Sequence, residues 1–477
     1  MRPNRNESHV YMTSLPTESP EQSLEHGRGW IFLIDVVVLA VAGVAAAQAF
    51  TWLLHHCQSL FLVTVAGNQP RLGLPTKEGL LHEIIGSRGV WGIPLATTLG
   101  GLLSGVIVYG LAPEAEGHGT DAVVGAFHRM GGYIRARVPF VKMVASAITI
   151  GSGGSAGQEG PIALISAGVG SIYAGLFHRS ERHRRLLVLI GMAAGFSAIF
   201  RSPIGSAFFA VEVLYSDMEF EAGALLYVLL AAVIAYALNG AIVGWAPLFR
   251  VPDNLSVTHM SDFIAYAVLG LTSGILGGLL PNIFYRARDA FRALPIPPHF
   301  KPAIGGLAVG LLGLKLPQIL GGGYGWIQEA IDGHIVFSLL GLLVFAKMIA
   351  LSLTVSSGGS GGVFAPGLFM GAMWGGFLAH VFHMPTAAMA VVGMAAVFGG
   401  AARVPIATMF MVTEMTNGYD LLVPTALAVI FSFLVQDLVV RTMKYKSLYE
   451  QQVSGRINSP AHMAGTLLKG GSSIGGQ

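Results

Sequence analysis

Apolar runs of about 20 residues, each long enough to cross a bilayer core as helix, recur along this chain. They lie at Gly29 to Leu54, Val90 to Leu111, Glu221 to Trp245, Phe263 to Leu280, Ile335 to Val355 and Leu421 to Val440. Others, Pro161 to Phe177 and Pro203 to Tyr215, are short or broken. With 53% hydrophobic and 11% charged residues and a mean hydropathy of +0.64, the chain lies far from the soluble norm of about 25% charged. Backbone crossing a bilayer must satisfy its own hydrogen bonds, and a β-barrel would show alternating segments of about ten residues. The expected fold is therefore an all-α polytopic membrane protein.

The chain is also internally duplicated. Lys142 to Pro161, KMVASAITIGSGGSAGQEGP, returns at Lys347 to Pro366 as KMIALSLTVSSGGSGGVFAP, offset by 205 residues with ten of twenty positions identical. Gly191 to Glu212 returns at Gly393 to Glu414, offset by 202 with ten of twenty-two positions identical. One repeat is expected at about 30–250 and the other at about 260–450. Loop charge gives their relative direction, because Lys and Arg collect on the cytoplasmic side. Around the first Gly/Ser break lie Arg129, Arg135, Arg137, Arg179, Arg182, Arg184 and Arg185; around the second lie Glu329, Asp332, His334, His380 and His383. The repeats thus read as inverted in topology, an arrangement that brings broken helices together near the membrane midplane.

Three regions are expected: a polar cytoplasmic arm at 1–28, a transmembrane domain at 29–450 and a short Gly/Ser-rich cytoplasmic tail at 451–477, with no soluble regulatory domain appended. The apolar run after the arm is too long for a signal-peptide core. The single cysteine, Cys57, excludes an internal disulfide and offers no metal site. The net charge of +3 gives no sign of a nucleic-acid partner.

Unwound backbone survives in a membrane only where protein or a water-filled cavity satisfies it. Glycine lets the chain turn there, and Pro161 and Pro366 suit the first turn of the helices that follow. A helix start offers free N–H groups and the positive end of the macrodipole, so it attracts an anion. One start contributes only about 0.3–1 kcal/mol, so several must converge to offset dehydration. Gly117-His118-Gly119-Thr120-Asp121, ahead of the short apolar segment Ala122 to Phe127, supplies a third. Glu159 is the one ionisable group within the first break, and an intramembrane charge is a functional candidate by default. Its carboxylate can occupy the anion position itself and leave when protonated, or simply cap its own helix. Glu212 and Glu414 are equivalent by the repeat and read as structural; Arg201 and Arg403 read as matching helix ends.

Two other motifs compete. Both breaks fit the nucleophile-elbow pattern GxSxG at Ser155 and Ser360, which would make an intramembrane serine hydrolase, but that elbow follows a strand and glycine-rich sequence meets the pattern cheaply. Gly321 to Gly325 is similar to a potassium filter but lacks the flanking Thr-Val, and reads as a loop.

These residues resemble the CLC family of chloride channels and chloride/proton antiporters, of the bacterial type without CBS domains, from Gly29 to Tyr449. Gly157-Gln158-Glu159-Gly160-Pro161 is similar to the family's G[RK]EGP element, Gly362-Val363-Phe364-Ala365-Pro366 to GxFxP, and Gly117 to Asp121 to GSGIP. The resemblance implies a gate at Glu159 and an anion-binding set of His118, Gly119, Gly160, Val363, Phe364 and Tyr449. It implies motif glycines and prolines at Gly117, Gly157, Pro161, Gly362 and Pro366, and Lys142 resembles a family lysine of the same spacing. It also implies chloride as the bound substrate, with no cofactor, no metal and no enzymatic activity, and a homodimer in a bacterial inner membrane with both termini cytoplasmic. Each subunit would hold its own anion path, with the interface drawn from about 191–216 and 404–435.

Three positions depart from the family pattern. His118 stands where many members carry serine, Gln158 replaces a basic residue beside the gate, and Val213 occupies the internal proton-glutamate position, next to Glu212. Valine cannot titrate, so passive chloride conductance is expected ahead of chloride/proton exchange, with fluoride transport as a further alternative.

Overall fold

The computed structural model describes residues 20–67, 89–252, 255 and 259–462, with side chains in the first helix from residue 32. Residues 1–19 of the expected arm and 463–477 of the expected tail lie outside the described residues. The first half contains α1 (Pro20–Gln58), α2 (Gly92–Leu111), α3 (Thr120–Arg129), α4 (Arg137–Gly151), α5 (Glu159–Leu176), α6 (Glu181–Phe200), α7 (Pro203–Glu212) and α8 (Ala222–Val243). The second contains α9 (Asp262–Ala293), α10 (Lys301–Gly313), α11 (Tyr324–Ile331), α12 (Phe337–Val355), α13 (Phe364–Phe382), α14 (Thr386–Ala402), α15 (Pro405–Thr416) and α16 (Leu422–Val440). Each element of one half has a counterpart in the other, including the short pairs α3/α11 and α7/α15. Eight helices among the described residues are long and apolar enough to cross a membrane.

Local chemistry explains the matching ends. Pro203 and Pro405 open α7 and α15, where a missing N–H costs nothing. The helices before them, α6 and α14, stop at Arg201 and Arg403, both left-handed at φ 55° and 57°, so the chain turns sharply before each proline. Glu212, at the end of α7, accepts hydrogen bonds from the backbone N–H groups of Ile406 (3.1 Å) and Ala407 (2.7 Å) at the start of α15. Glu414 reciprocates, accepting from Ser202 Oγ (2.6 Å), Ile204 N (3.1 Å) and Gly205 N (2.9 Å) at the start of α7. Each carboxylate caps the other repeat's helix. That reciprocity requires α7 and α15 to lie antiparallel, as an inverted repeat demands.

Helices approach closely where glycine replaces a side chain, the packing expected inside a membrane. On α13 and α14, a Cβ at Gly371 would lie 2.2 Å from Gly393 O, and one at Gly393 would lie 2.3 Å from Gly371 O.

Several boundaries differ from the sequence reading. The helix expected to begin near Gly29 starts at Pro20 and continues past Gln58 as a π-helical turn, Ser59–Val65. The segment expected to end at Leu280 runs to Ala293. Its polar final turns are held by the C-terminal region: Asn282 Nδ2 donates to Tyr445 O (2.9 Å), and Arg288 pairs with Glu450. Residues 451–462 pack against the first repeat. Ser216 N donates to Val453 O (2.9 Å), and Arg185 Nη1 donates to Ala461 O (2.9 Å).

Gly321 to Gly325 is not simply a loop. Gly321 and Gly323 have φ of +61° and +84°, and Tyr324 then begins α11. This repeats Gly117 and Gly119, at φ +69° and +87°, ahead of Thr120 in α3. Buried lysines complete the match. Lys142 Nζ donates to Ala115 O (3.1 Å) and Gly117 O (2.6 Å), and Lys347 Nζ to Ile319 O (2.8 Å) and Gly321 O (2.7 Å). Each lysine gathers backbone carbonyls of an unwound turn that lacks helical partners, which is how buried polar groups are satisfied.

Candidate anion-binding site

The breaks meet at the centre of the molecule and are stitched together by their backbones. Gly157 N–H donates to Gly362 O (2.8 Å) and Gly362 N–H to Gly157 O (2.7 Å), an antiparallel bridge between the two copies of the motif. Gly117 N–H donates to Gly359 O and Gly361 N–H to Gly117 O, both at 3.2 Å. The bridge brings together the starts of α3, α5 and α13, as the sequence suggests, and α11 adds a fourth. None of the four N-cap residues, Gly119, Gln158, Val363 and Gly323, caps its helix with a side-chain hydrogen bond. Their first-turn N–H groups therefore gain nothing from the N-cap side chains and are left to whatever group lies between the helix starts.

Glu159 is the first residue of α5 and is 1% exposed. Its carboxylate folds back over the bridge: Cβ atoms at Gly157 and Gly362 would fall 1.8 and 2.7 Å from Oε2. The backbone amides of Ala365, Gln158 and Glu159 itself lie beside the carboxylate. Tyr324 Oη donates to Oε1 at 2.5 Å, whereas Oε2 has no hydrogen-bond partner. A carboxylate therefore fills the space between helix starts where an anion would be most strongly favoured. The helix-cap and anion-site readings of Glu159 are the same geometry, since the cap it makes is the occupied anion position.

The other candidates surround it. Gly160 presses on the break at Gly117 to Asp121, where a Cβ would lie 1.6 Å from His118 O. A Cβ at Gly119 would lie 2.5 Å from Gly160 O. His118 is buried with Nδ1 unpartnered, and its ring stands against Tyr449 at 5.3 Å and Phe284 at 6.2 Å between centroids. Phe364 packs on Phe200 (5.3 Å) and Phe398 (4.6 Å), with Phe209 bridging it to Tyr449 at 6.4 Å from each. Pro161 and Pro366 are the third residues of α5 and α13, where a missing N–H is harmless.

Tyr449 is placed by its own loop. Tyr285 Oη donates to Leu448 O (2.6 Å) and Tyr449 N to Ser447 Oγ (3.2 Å). Val213 is fully buried; its carbonyl accepts from Gln452 Nε2 at 3.1 Å, tying it to the Tyr449 loop. Glu212, its neighbour, is committed to the start of α15. Gln158 is half-buried beside Glu159.

The hydrolase geometry is not formed. Helices α4 and α12, not strands, precede the two serines; Ser155 Oγ has no hydrogen-bond partner, and Ser360 Oγ is paired with Ser146 Oγ (2.9 Å) and Ala115 O (3.0 Å). Neither serine is hydrogen-bonded to a histidine that could activate it. Sequence reasoning missed Tyr324, whose only signal was the Gly-x-Gly spacing shared with Gly117 to Gly119.

A family model described as voltage gated chloride channel matches residues 100–437. The chain belongs to the CLC family. A putative chloride channel protein ClcB-like of Ralstonia nicotianae is 31% identical over 72% of this chain and 82% of its own length. The H(+)/Cl(-) exchange transporter ClcA of Citrobacter koseri is 32% identical over 76% of this chain and 78% of its own. The voltage-gated ClC-type chloride channel ClcB of Salmonella typhimurium is 27% identical over 88% and 99%. Among solved structures, a slow cyanobacterial Cl-/H+ antiporter superposes with a TM-score of 0.73 at 22% identity, covering 88% of this chain and 95% of that one. A CLC-type fluoride/proton antiporter gives 0.74 at 24%, covering 91% and 100%. At these identities the likeness concerns the fold, which is the inverted-repeat CLC architecture. The chain is thus an integral membrane protein of an anion-transporting family whose named members include both channels and exchangers.

Proposed function

We propose that this chain conducts chloride passively through the cluster of helix starts, with the Glu159 carboxyl as the gate. The observation that carries this reading is the seat of that carboxylate between Gly157 and Gly362, over the only bridge joining the two breaks among the described residues. Ionised, it competes with chloride for the same helix ends; protonated, it loses the attraction that holds it there. Gly160, Val363 and Phe364 present backbone amides to the anion, and His118, Gly119 and Tyr449 line its inner side. Every one of these residues comes from a single chain, which supports one path per subunit in a homodimer joined through 191–216 and 404–435.

Orientation follows from charge. Arg129 bonds Gln451, Arg185 bonds Ala461, and Asp35 in the first half of α1 pairs with Arg179 (2.8 Å). The C-terminal residues and the first half of α1 therefore meet the arginine-rich face, which the reading places on the cytoplasmic side of a bacterial inner membrane, with both termini on that side. Chloride is favoured over fluoride because fluoride is the more tightly hydrated ion and costs more to dehydrate at the same set of amide donors.

Passive conductance is favoured over proton coupling by Val213. A fixed proton route inward from Glu159 needs a second titratable group; Val213 has none, and the carboxylate of Glu212 caps α15. In liposomes with a chloride gradient, the expected result is chloride efflux without uphill proton movement. Proton uptake driven by that gradient, in fixed ratio to chloride, supports exchange instead.

A further inference from the structure

Tyr324 enters neither the duplicated motif nor the anion-lining set, yet it makes the only side-chain hydrogen bond to Glu159 among the described residues, at 2.5 Å. We propose that Tyr324 is a positioning residue that latches the Glu159 carboxylate in its seat and so sets the pH at which the path opens, an inference that rests on Glu159 being the gate.

The tyrosine is built into place. Gly323, left-handed at φ +84°, starts α11 directly on Tyr324, and Lys347 holds the turn by Ile319 O and Gly321 O. The phenol ring stacks on Phe249 with centroids 6.1 Å apart. The Phe249 segment is itself clamped by α11, since Gln328 accepts from Arg250 N (2.9 Å) and donates to Arg250 O (2.8 Å). The ring therefore has little freedom to withdraw its hydroxyl, and the donor is paid for by neither water nor rearrangement.

The repeat sharpens the point. Thr120 holds the place of Tyr324 in the first half, and Phe364 holds the place of Glu159 in the second. Donor and carboxylate thus occur together on one side of the two-fold only. The other charged or titratable groups around the carboxylate are Lys347 on α12, Tyr449 beyond α16, and His118 with Lys142 behind it on the facing break. Both lysines are committed to backbone carbonyls, and neither makes a hydrogen bond to Glu159. Tyr324 is the group whose removal changes the carboxylate without unmaking a turn.

A phenol can donate to a carboxylate more strongly than to the neutral acid. It therefore opposes protonation and holds the ionised gate shut. Removing the hydroxyl makes protonation easier, so opening begins at higher pH.

The test is chloride efflux from liposomes as a function of pH, with each profile scaled to its own acid plateau, for the parent, Tyr324→Phe, Glu159→Gln and the double variant. The latch predicts that Tyr324→Phe moves the midpoint upward by about 1 pH unit, the size of one charge-assisted hydrogen bond. It also predicts that the double variant matches Glu159→Gln alone. A Tyr324→Phe profile that overlies the parent while Glu159→Gln is flat overturns the latch and leaves the gate standing. A further change of flux when Tyr324→Phe is added to Glu159→Gln also overturns it, since the tyrosine would then act without the carboxylate. A Glu159→Gln profile that still follows the parent overturns the gate reading, and the latch with it.

Discussion

Glu159→Gln is expected to give chloride flux that no longer depends on pH and that, near pH 7, exceeds the parent's by roughly tenfold or more. The amide has nearly the shape of the protonated acid but cannot ionise, so it cannot compete as an anion for the starts of α5 and α13. In the parent the sign is fixed by the same chemistry. As pH falls the carboxyl becomes neutral, leaves its seat between Gly157 and Gly362, and flux rises to the level the glutamine variant shows throughout. The magnitude follows from the donors that hold a charged carboxylate, each contributing about 1.5–3 kcal/mol, where 1.4 kcal/mol is about tenfold in an equilibrium. The measurement is the initial rate of chloride efflux from liposomes across the acid-to-neutral range.

Gly160→Ala should abolish transport, with flux falling by well over tenfold. Alanine is the better helix former, and Gly160 lies in the first turn of α5, so helix propensity alone predicts a mild gain. The third dimension reverses this. An added Cβ would stand 1.6 Å from His118 O and 3.1 Å from the Gly362 Cα, so the break at Gly117 to Asp121, α5 and the second Gly/Ser break cannot keep their places together. Those contacts are backbone, which cannot turn aside as a side chain can. Gly175→Ala, in the same helix with nothing within 4 Å of its added Cβ, is the matched control and should retain parental flux. Efflux assays on both variants, with thermal melts in detergent, separate loss of the path from loss of the fold.

The duplicated scaffold was legible because its signals are local. Prolines at Pro203 and Pro405, arginines eleven residues before the glutamates, and the Gly/Ser breaks recur at nearly constant offset, and the fold pairs all of them. Glu212 and Glu414 could be read as structural from their symmetry alone, although their exchange of helix starts could not. The breaks, Glu159 and the helix starts of α3, α5 and α13 were equally visible. Tyr324 was not, for a physical reason: it lies 165 residues from its partner, and only the two left-handed glycines before it are shared with the first half. Its side chain differs from Thr120 because its task differs. The end of α9 was misplaced because amphipathic turns beyond an apolar run are stabilised by packing against distant polar groups, such as Asn282 on Tyr445 and Arg288 on Glu450, and hydropathy does not record such partners.

The central claim is that the carboxylate of Glu159 occupies the anion position in the path. Crystals of Glu159→Gln and of the parent, grown above neutral pH and soaked in bromide, test it most directly through anomalous scattering. The account predicts a bromide peak at the starts of α5 and α13 in the glutamine variant, in the space between Gly157 and Gly362, and none there in the parent. A peak at that place in both, with the parental carboxylate still over the bridge, or in neither, would contradict it.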